Sequence, residues 1–210
     1  MDIVLLGGWS RNENSYRKLI LNAPQRCTLH FIDHRDLFEK NRFDPDRSIT
    51  SFLKKNKLSK VVLIGHSLGG AIALNFTNSY PNLVTKLYLL DSEGVFGDES
   101  IVNLITKFLL THKMHARRKS RENVGALLRL VKNPVRHFGL AKFAHNADLE
   151  KKAGEIRVTT KILWGEKDYL TPVWQGEKLH KAIKGSELVV INNMDHDWVL
   201  HSPQFFWENF

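Results

Sequence analysis

Three residues far apart in the chain are of the types needed for nucleophilic acyl transfer. Ser67 stands in Gly65-His66-Ser67-Leu68-Gly69, a Gly-x-Ser-x-Gly pattern, Asp168 in "LWGEKDYLTP", and His196 in "INNMDHDWVLHSP". A serine hydroxyl attacks poorly until a base takes its proton. A histidine base in turn needs an acid on its far nitrogen to fix the tautomer and steady the imidazolium. The order serine, acid, histidine is the one that accompanies a Gly-x-Ser-x-Gly turn between a strand and a helix. Ser67 is therefore the candidate nucleophile, His196 the general base and Asp168 the orienting acid. Asp91, which ends "KLYLLD", is a rival acid at another strand terminus. Glu166, Asp195 and Asp197 read as solvated loop carboxylates, and most of the ten histidines as surface groups.

Acyl transfer also puts negative charge on a carbonyl oxygen, which preorganised amides must meet. One donor is expected from Leu68, directly after the nucleophile, where a helix N-terminus adds its dipole. The second is expected from "LLGGWS" (5–10), where Gly7 and Gly8 permit a tight turn that presents the Trp9 amide. The plainer alternative for that segment is a strand-ending glycine turn with Trp9 as packing.

These residues need a scaffold, and the apolar pattern supplies one. Residues 2–7, 27–33, 61–65, 85–91, 160–165 and 187–192 are short apolar runs that read as strands. Residues 46–57, 68–79, 173–184 and 203–210 read as helices between them. Such alternation predicts a mostly parallel sheet of about six strands with helices on both faces. The candidate triad falls on loops at the carboxyl ends of strands, where sheets of this kind build their sites. Residues 95–155 break the rhythm, with helical patterns near 99–114, 120–132 and 134–144 and no convincing strand. The chain thus divides into a core, 1–94 and 156–210, and a helical lid, 95–155.

Composition narrows the classes. The net charge is +9, and residues 95–155 hold 12 basic and 6 acidic residues, a net of +6. Between Lys107 and Arg136 nine Lys/Arg face one acid, Glu122. That run is either a solvated face or a docking surface for an acidic carrier or an anionic substrate. It lacks interleaved aromatics, which argues against nucleic acid. Phe108-Leu109-Leu110 beside Lys107 and Lys113 reads as pocket packing rather than lipid contact. No apolar run is long enough to span a bilayer, the N-terminus lacks signal-peptide character, and Cys27 is alone, so a cytoplasmic location is expected, with Cys27 as a small core residue. His30, Asp33, His34 and Asp36 have no ligand spacing, and no dinucleotide motif occurs, so neither a metal nor a cofactor is expected.

Jointly "LLGGWS", "GHSLGG", "WGEKDYLTP" and "MDHDWVLHSPQFF" resemble the α/β-hydrolases, in particular the lid-bearing group. That group includes small carboxylesterases, methyl esterases acting on pimeloyl-acyl carrier protein, and C–C hydrolases of aromatic ring cleavage. The resemblance covers nearly the whole chain. It implies a serine carboxylesterase that works through Ser67, His196 and Asp168 and an acyl-enzyme intermediate. The expected substrate is a small-molecule ester, either acidic or held on an acidic acyl carrier protein. C–C hydrolysis and a non-enzymatic ligand-binding module are the alternatives. There are departures. Gly7-Gly8 stands where the family commonly has His-Gly, and "DHRDLFEK" (33–40) replaces an Arg-Gly-x-Gly-x-Ser segment. The given sequence also starts directly at the oxyanion strand, hence six strands rather than eight.

Overall fold

The computed structural model describes residues 1–9, 11–39, 42–94, 143 and 149–210. Six strands form one parallel sheet: β1 (Asp2–Leu6), β2 (Thr28–Ile32), β5 (Val61–His66), β6 (Val84–Leu90), β7 (Thr160–Gly165) and β8 (Glu187–Ile191). Their order is β2-β1-β5-β6-β7-β8. All five pairings are parallel, as the unbroken apolar runs require of strands covered on both faces. β5, between β1 and β6, is buried along its whole length. A two-residue antiparallel pair, β3 (Phe38–Glu39) and β4 (Arg42–Phe43), was not anticipated from the sequence.

Helices cover both faces. On one side lie α2 (Pro45–Lys55), α3 (Leu68–Ser79), α4 (Leu149–Glu155) and α5 (Val173–Ala182); on the other lie α1 (Arg17–Leu21), α6 (Trp198–His201) and α7 (Gln204–Glu208). The local rules are visible in α2. Asp44 caps it by accepting from the Arg47 amide at 3.2 Å, Pro45 opens it, and Ile49 and Leu53 are buried at helical spacing. α3 differs, being buried on nearly every residue because it packs over the centre of the sheet. Burying a side chain such as Phe76 or Leu74 fully is worth about 1.5–3 kcal/mol.

The three helices expected within 99–144 lie outside the described residues except at Phe143, and the whole basic run from Lys107 to Arg136, with Leu110, lies outside them as well. The end of the 95–155 segment is described. Leu149–Glu155 is helical and rests on α3, with Lys152 Nζ donating to Asn75 Oδ1 at 2.5 Å. No helix among the described residues is long and apolar enough to cross a membrane.

Candidate active site

β5 ends at His66, and the chain turns directly into α3 through Ser67, whose φ of 55° and ψ of −124° a non-glycine residue rarely adopts. Two glycines make the turn physically possible. A Cβ on Gly69 would lie 2.1 Å from the Leu6 carbonyl oxygen, and one on Gly65 would lie 2.4 Å from that of Gly69. Serine is a favoured helix N-cap, yet the Ser67 side chain makes no capping bond. Its hydroxyl points instead to His196 Nε2, 2.9 Å away.

His196 lies in the loop after β8. Gly165 gives that loop its seat, since a Cβ there would meet the Met194 and Asp195 carbonyl oxygens at 2.6 and 2.7 Å. His196 Nδ1 is 2.7 Å from Asp168 Oδ2. The Asp168 carboxylate is held on every side. Oδ1 accepts from the Leu170 and Thr171 amides at 2.8 and 2.9 Å, and Oδ2 accepts from the Thr171 hydroxyl at 2.6 Å. These partners assign Nδ1–H toward Asp168 and leave the Nε2 lone pair to the serine proton. Burial works against the charged forms of both groups. For His196 the nearby Asp168 charge and hydrogen bond outweigh it and raise the pKa; for Asp168 the His196 charge outweighs it and lowers the pKa.

The rival acid sits just behind. Asp91 Oδ1 accepts from the Gly165 amide at 2.8 Å and Oδ2 from the Trp198 indole at 2.5 Å. Complete burial, with the Asp168 charge beside it, pushes its pKa well above its ordinary value. Asp91 thus stands behind Asp168 with burial and the neighbouring charge disfavouring its ionisation, and it is Asp168 that faces His196. Together Asp91, Asp168 and His196 offer ligand atoms within 4.8 Å of one another. Each is already engaged in the hydrogen bonds above.

The two candidate oxyanion donors flank the serine. Leu68 is the first residue of α3, so its amide precedes any intrahelical acceptor. The Gly7–Trp9 loop lies on the opposite strand neighbour, and a Cβ on Gly8 would stand 3.1 Å from Ser67 Cβ. Trp9 itself is partly buried against the core.

Several residues enter that sequence reading passed over. Beside Gly8 stands His66, whose Nδ1 would lie 3.1 Å from a Cβ at Gly8. Its Nδ1 is 2.7 Å from the Tyr16 hydroxyl, and its Nε2 is 2.9 Å from the His196 carbonyl oxygen. The Gly8 amide donates to the same Tyr16 hydroxyl at 2.7 Å. A carbonyl only accepts, so Nε2 carries the proton and Nδ1 accepts from tyrosine. Burial, with the His196 charge adding to it, pulls His66 down to about 4, which keeps it neutral. Asp197, read from the sequence as solvated, pairs instead with buried Arg11 at 2.5 Å. Asp195 bonds His201 at 2.9 Å, and Glu166 accepts from the Asn193 amide at 2.8 Å, so both are engaged as well. Thr171 and Glu93, 3.4 Å from Ser67 Oγ, were also unforeseen. His66 lay inside the quoted pattern; Tyr16, 50 residues away, left no signal.

Residues 3–111 match the family model described as alpha/beta hydrolase fold. The chain is 25% identical to a 2-hydroxy-6-oxononadienedioate/2-hydroxy-6-oxononatrienedioate hydrolase of Klebsiella pneumoniae, over 90% of this chain and 76% of that protein. It is 24% identical to a pimeloyl-[acyl-carrier protein] methyl ester esterase of Hamiltonella defensa, over 98% of this chain and 90% of that protein. The enol-lactonase of Burkholderia xenovorans superposes with a TM-score of 0.79 at 15% identity, covering 99% of this chain and 88% of that one.

Proposed function

Because the chain belongs to the alpha/beta hydrolase fold family, we propose that it is a serine hydrolase of carboxylic esters. The observation that carries this reading is the continuous line Ser67 Oγ, His196, Asp168, with spacings of 2.9 and 2.7 Å. His196 Nε2 takes the hydroxyl proton as Ser67 Oγ attacks the ester carbonyl. The tetrahedral oxyanion is met by the Leu68 amide and the Trp9 amide. His196 then returns the proton to the departing alcohol, which leaves an acyl-Ser67 ester. Water, deprotonated by the same nitrogen, attacks that ester and releases the acid. No metal or cofactor enters the scheme. Residues 95–155 act as the lid over a core formed by 1–94 and 156–210, and the enzyme works in the cytoplasm on a small-molecule substrate.

Ser67→Ala is expected to lower p-nitrophenyl butyrate turnover by about three orders of magnitude or more. A fluorophosphonate probe should label the wild type at Ser67, whereas a ligand-binding module would stay unlabelled. Wild-type turnover retained in Ser67→Ala refutes the proposal.

Two narrower substrate readings have support. The Klebsiella relative's name favours C–C hydrolysis of a vinylogous diketone. The Hamiltonella relative's name, with nine basic residues between Lys107 and Arg136, favours a methyl ester on an acidic acyl carrier protein. Turnover of ring-cleavage diketones beside methyl-ester carrier substrates separates them.

A further inference from the structure

One carboxyl group at the site has no task in the scheme above. Glu93 follows β6 by three residues, on the side of β5 away from the Gly7–Trp9 loop. Its main chain is tied to the nucleophile turn, since the Glu93 amide donates to the Ser67 carbonyl at 3.0 Å. The Ser92 hydroxyl holds the Glu93 carbonyl at 2.9 Å. Gly94, at a φ of 124°, then turns the chain under Leu149, where a side chain would collide with that residue at 2.0 Å. The carboxyl is thereby held at the reacting end. Oε1 lies 3.4 Å from Ser67 Oγ, whose proton is directed at His196, and among the described residues Oε2 has no hydrogen-bond partner.

The carboxyl is partly buried and keeps an oxygen to spare beside the nucleophile, which a ligand donor can engage. Burial pushes Glu93 up to about 7, with the His196 charge and the Ser67 hydroxyl drawing it back down. Distance indicates what can reach it. A carbonyl carbon poised for attack lies about 3–3.5 Å from the serine oxygen. Groups one or two bonds from that carbon, on the Glu93 side, can come within hydrogen-bonding range of a carboxyl 3.4 Å from the same oxygen. In the proposed scheme the Trp9 amide serves the carbonyl oxygen from the β1 side of β5, whereas Glu93 approaches from the β6 side.

We propose that Glu93 is a specificity-determining residue, whose carboxyl accepts a hydrogen bond from a substrate hydroxyl or N–H placed one or two bonds from the scissile carbonyl. The substrate class it selects is hydroxy- or amino-substituted esters, over esters that carry an alkyl group at the same place. This rests on the serine-esterase reading above.

The test compares isosteres in which hydroxyl replaces methyl. On the acyl side these are p-nitrophenyl lactate against isobutyrate, and 3-hydroxybutyrate against 3-methylbutyrate. On the alcohol side they are 2-hydroxyethyl against propyl butyrate. The readout is the ratio of kcat/KM within each pair, measured near pH 8 for wild type, Glu93→Gln and Glu93→Leu. The ratio is internal to each protein, so a general loss of activity divides out. In at least one pair the wild type should favour hydroxyl, and Glu93→Leu should reduce that preference about tenfold or more, with Glu93→Gln between them because it keeps one acceptor. Ratios equal in all three proteins, or a wild-type preference for methyl in every pair, overturn the inference. If Ser67 also fails to react with a fluorophosphonate, the esterase reading falls and takes this one with it. If Ser67 labels normally while the ratios stay flat, only the role of Glu93 falls.

Discussion

Two buried histidines lie side by side at the heart of this molecule, their ring centroids 5.2 Å apart, and their environments set them on opposite courses. His66 meets a tyrosine hydroxyl and a backbone carbonyl, and burial leaves it neutral down to about pH 4. His196 meets the carboxylate of Asp168, which outweighs burial and raises its pKa. The same side chain in the same interior becomes a fixed strut in one case and, in the proposed scheme, a proton carrier in the other. One charged neighbour makes the difference.

The comparison breaks most sharply at that neighbour. Asp168→Asn should lower kcat/KM by about three to four orders of magnitude, since it removes the charge that steadies the imidazolium and the acceptor that fixes the tautomer. The sign of the pH effect follows. Activity needs neutral His196, so kcat/KM falls as pH drops through its raised pKa. Without the carboxylate the acid limb of whatever activity remains should shift to lower pH. A limb left in place in a pH–rate profile would show that Asp168 does not set the His196 pKa.

The neutral side should respond less. Tyr16→Phe removes the hydroxyl that joins Gly8 to His66 and leaves two buried polar groups short of a partner. Stability should fall by about 1–3 kcal/mol in denaturant titrations. The expected loss in kcat is about tenfold with KM little changed, because the loop beside the oxyanion loses its anchor. A loss confined to KM would place Tyr16 in substrate binding instead.

The smallest effect concerns Asp91, where burial prevails as it does at His66 although the residue stands on the charged side. Its folded pKa is raised well above the ordinary value, so its contribution to stability is complete below the ordinary carboxylate pKa and is lost as pH rises through the folded one. Asp91→Asn cannot ionise. It loses an acceptor for Trp198, a constant offset, but it should flatten the decline of melting temperature as pH rises above the ordinary carboxylate pKa. Parallel curves for the two proteins would mean that Asp91 is already ionised in the fold.

Much of this arrangement was legible in the sequence because it is local. All six strands were expected within a residue or two of their bounds, since apolar runs of the right length between turns leave few other options. Ser67, Asp168 and His196 each announce themselves by standing just past a strand. The Tyr16 strut did not, because its meaning lies in contacts with Gly8 and His66 that exist only after the sheet has formed. The short helical stretch that carries Tyr16, residues 13–21, has too few turns to print a periodicity. Asp197 misled for a related reason: its partner, Arg11, lies 186 residues away. Glu93 was silent too, as a single acid beyond a strand that already ended in a more conspicuous one.

The three close-packed glycines have a consequence for how such a molecule can change over generations. Positions 65, 69 and 165 shape the site by leaving atoms out: each presses main chain against main chain at 2.1–2.6 Å from where a first carbon would sit. No mutational step from glycine is small there, because even alanine must separate strand from helix or strand from loop. Descent is therefore free to vary what the reaction is applied to, through residues such as Glu93 that only border the serine. The reaction itself is locked by three hydrogens that have no conservative substitute.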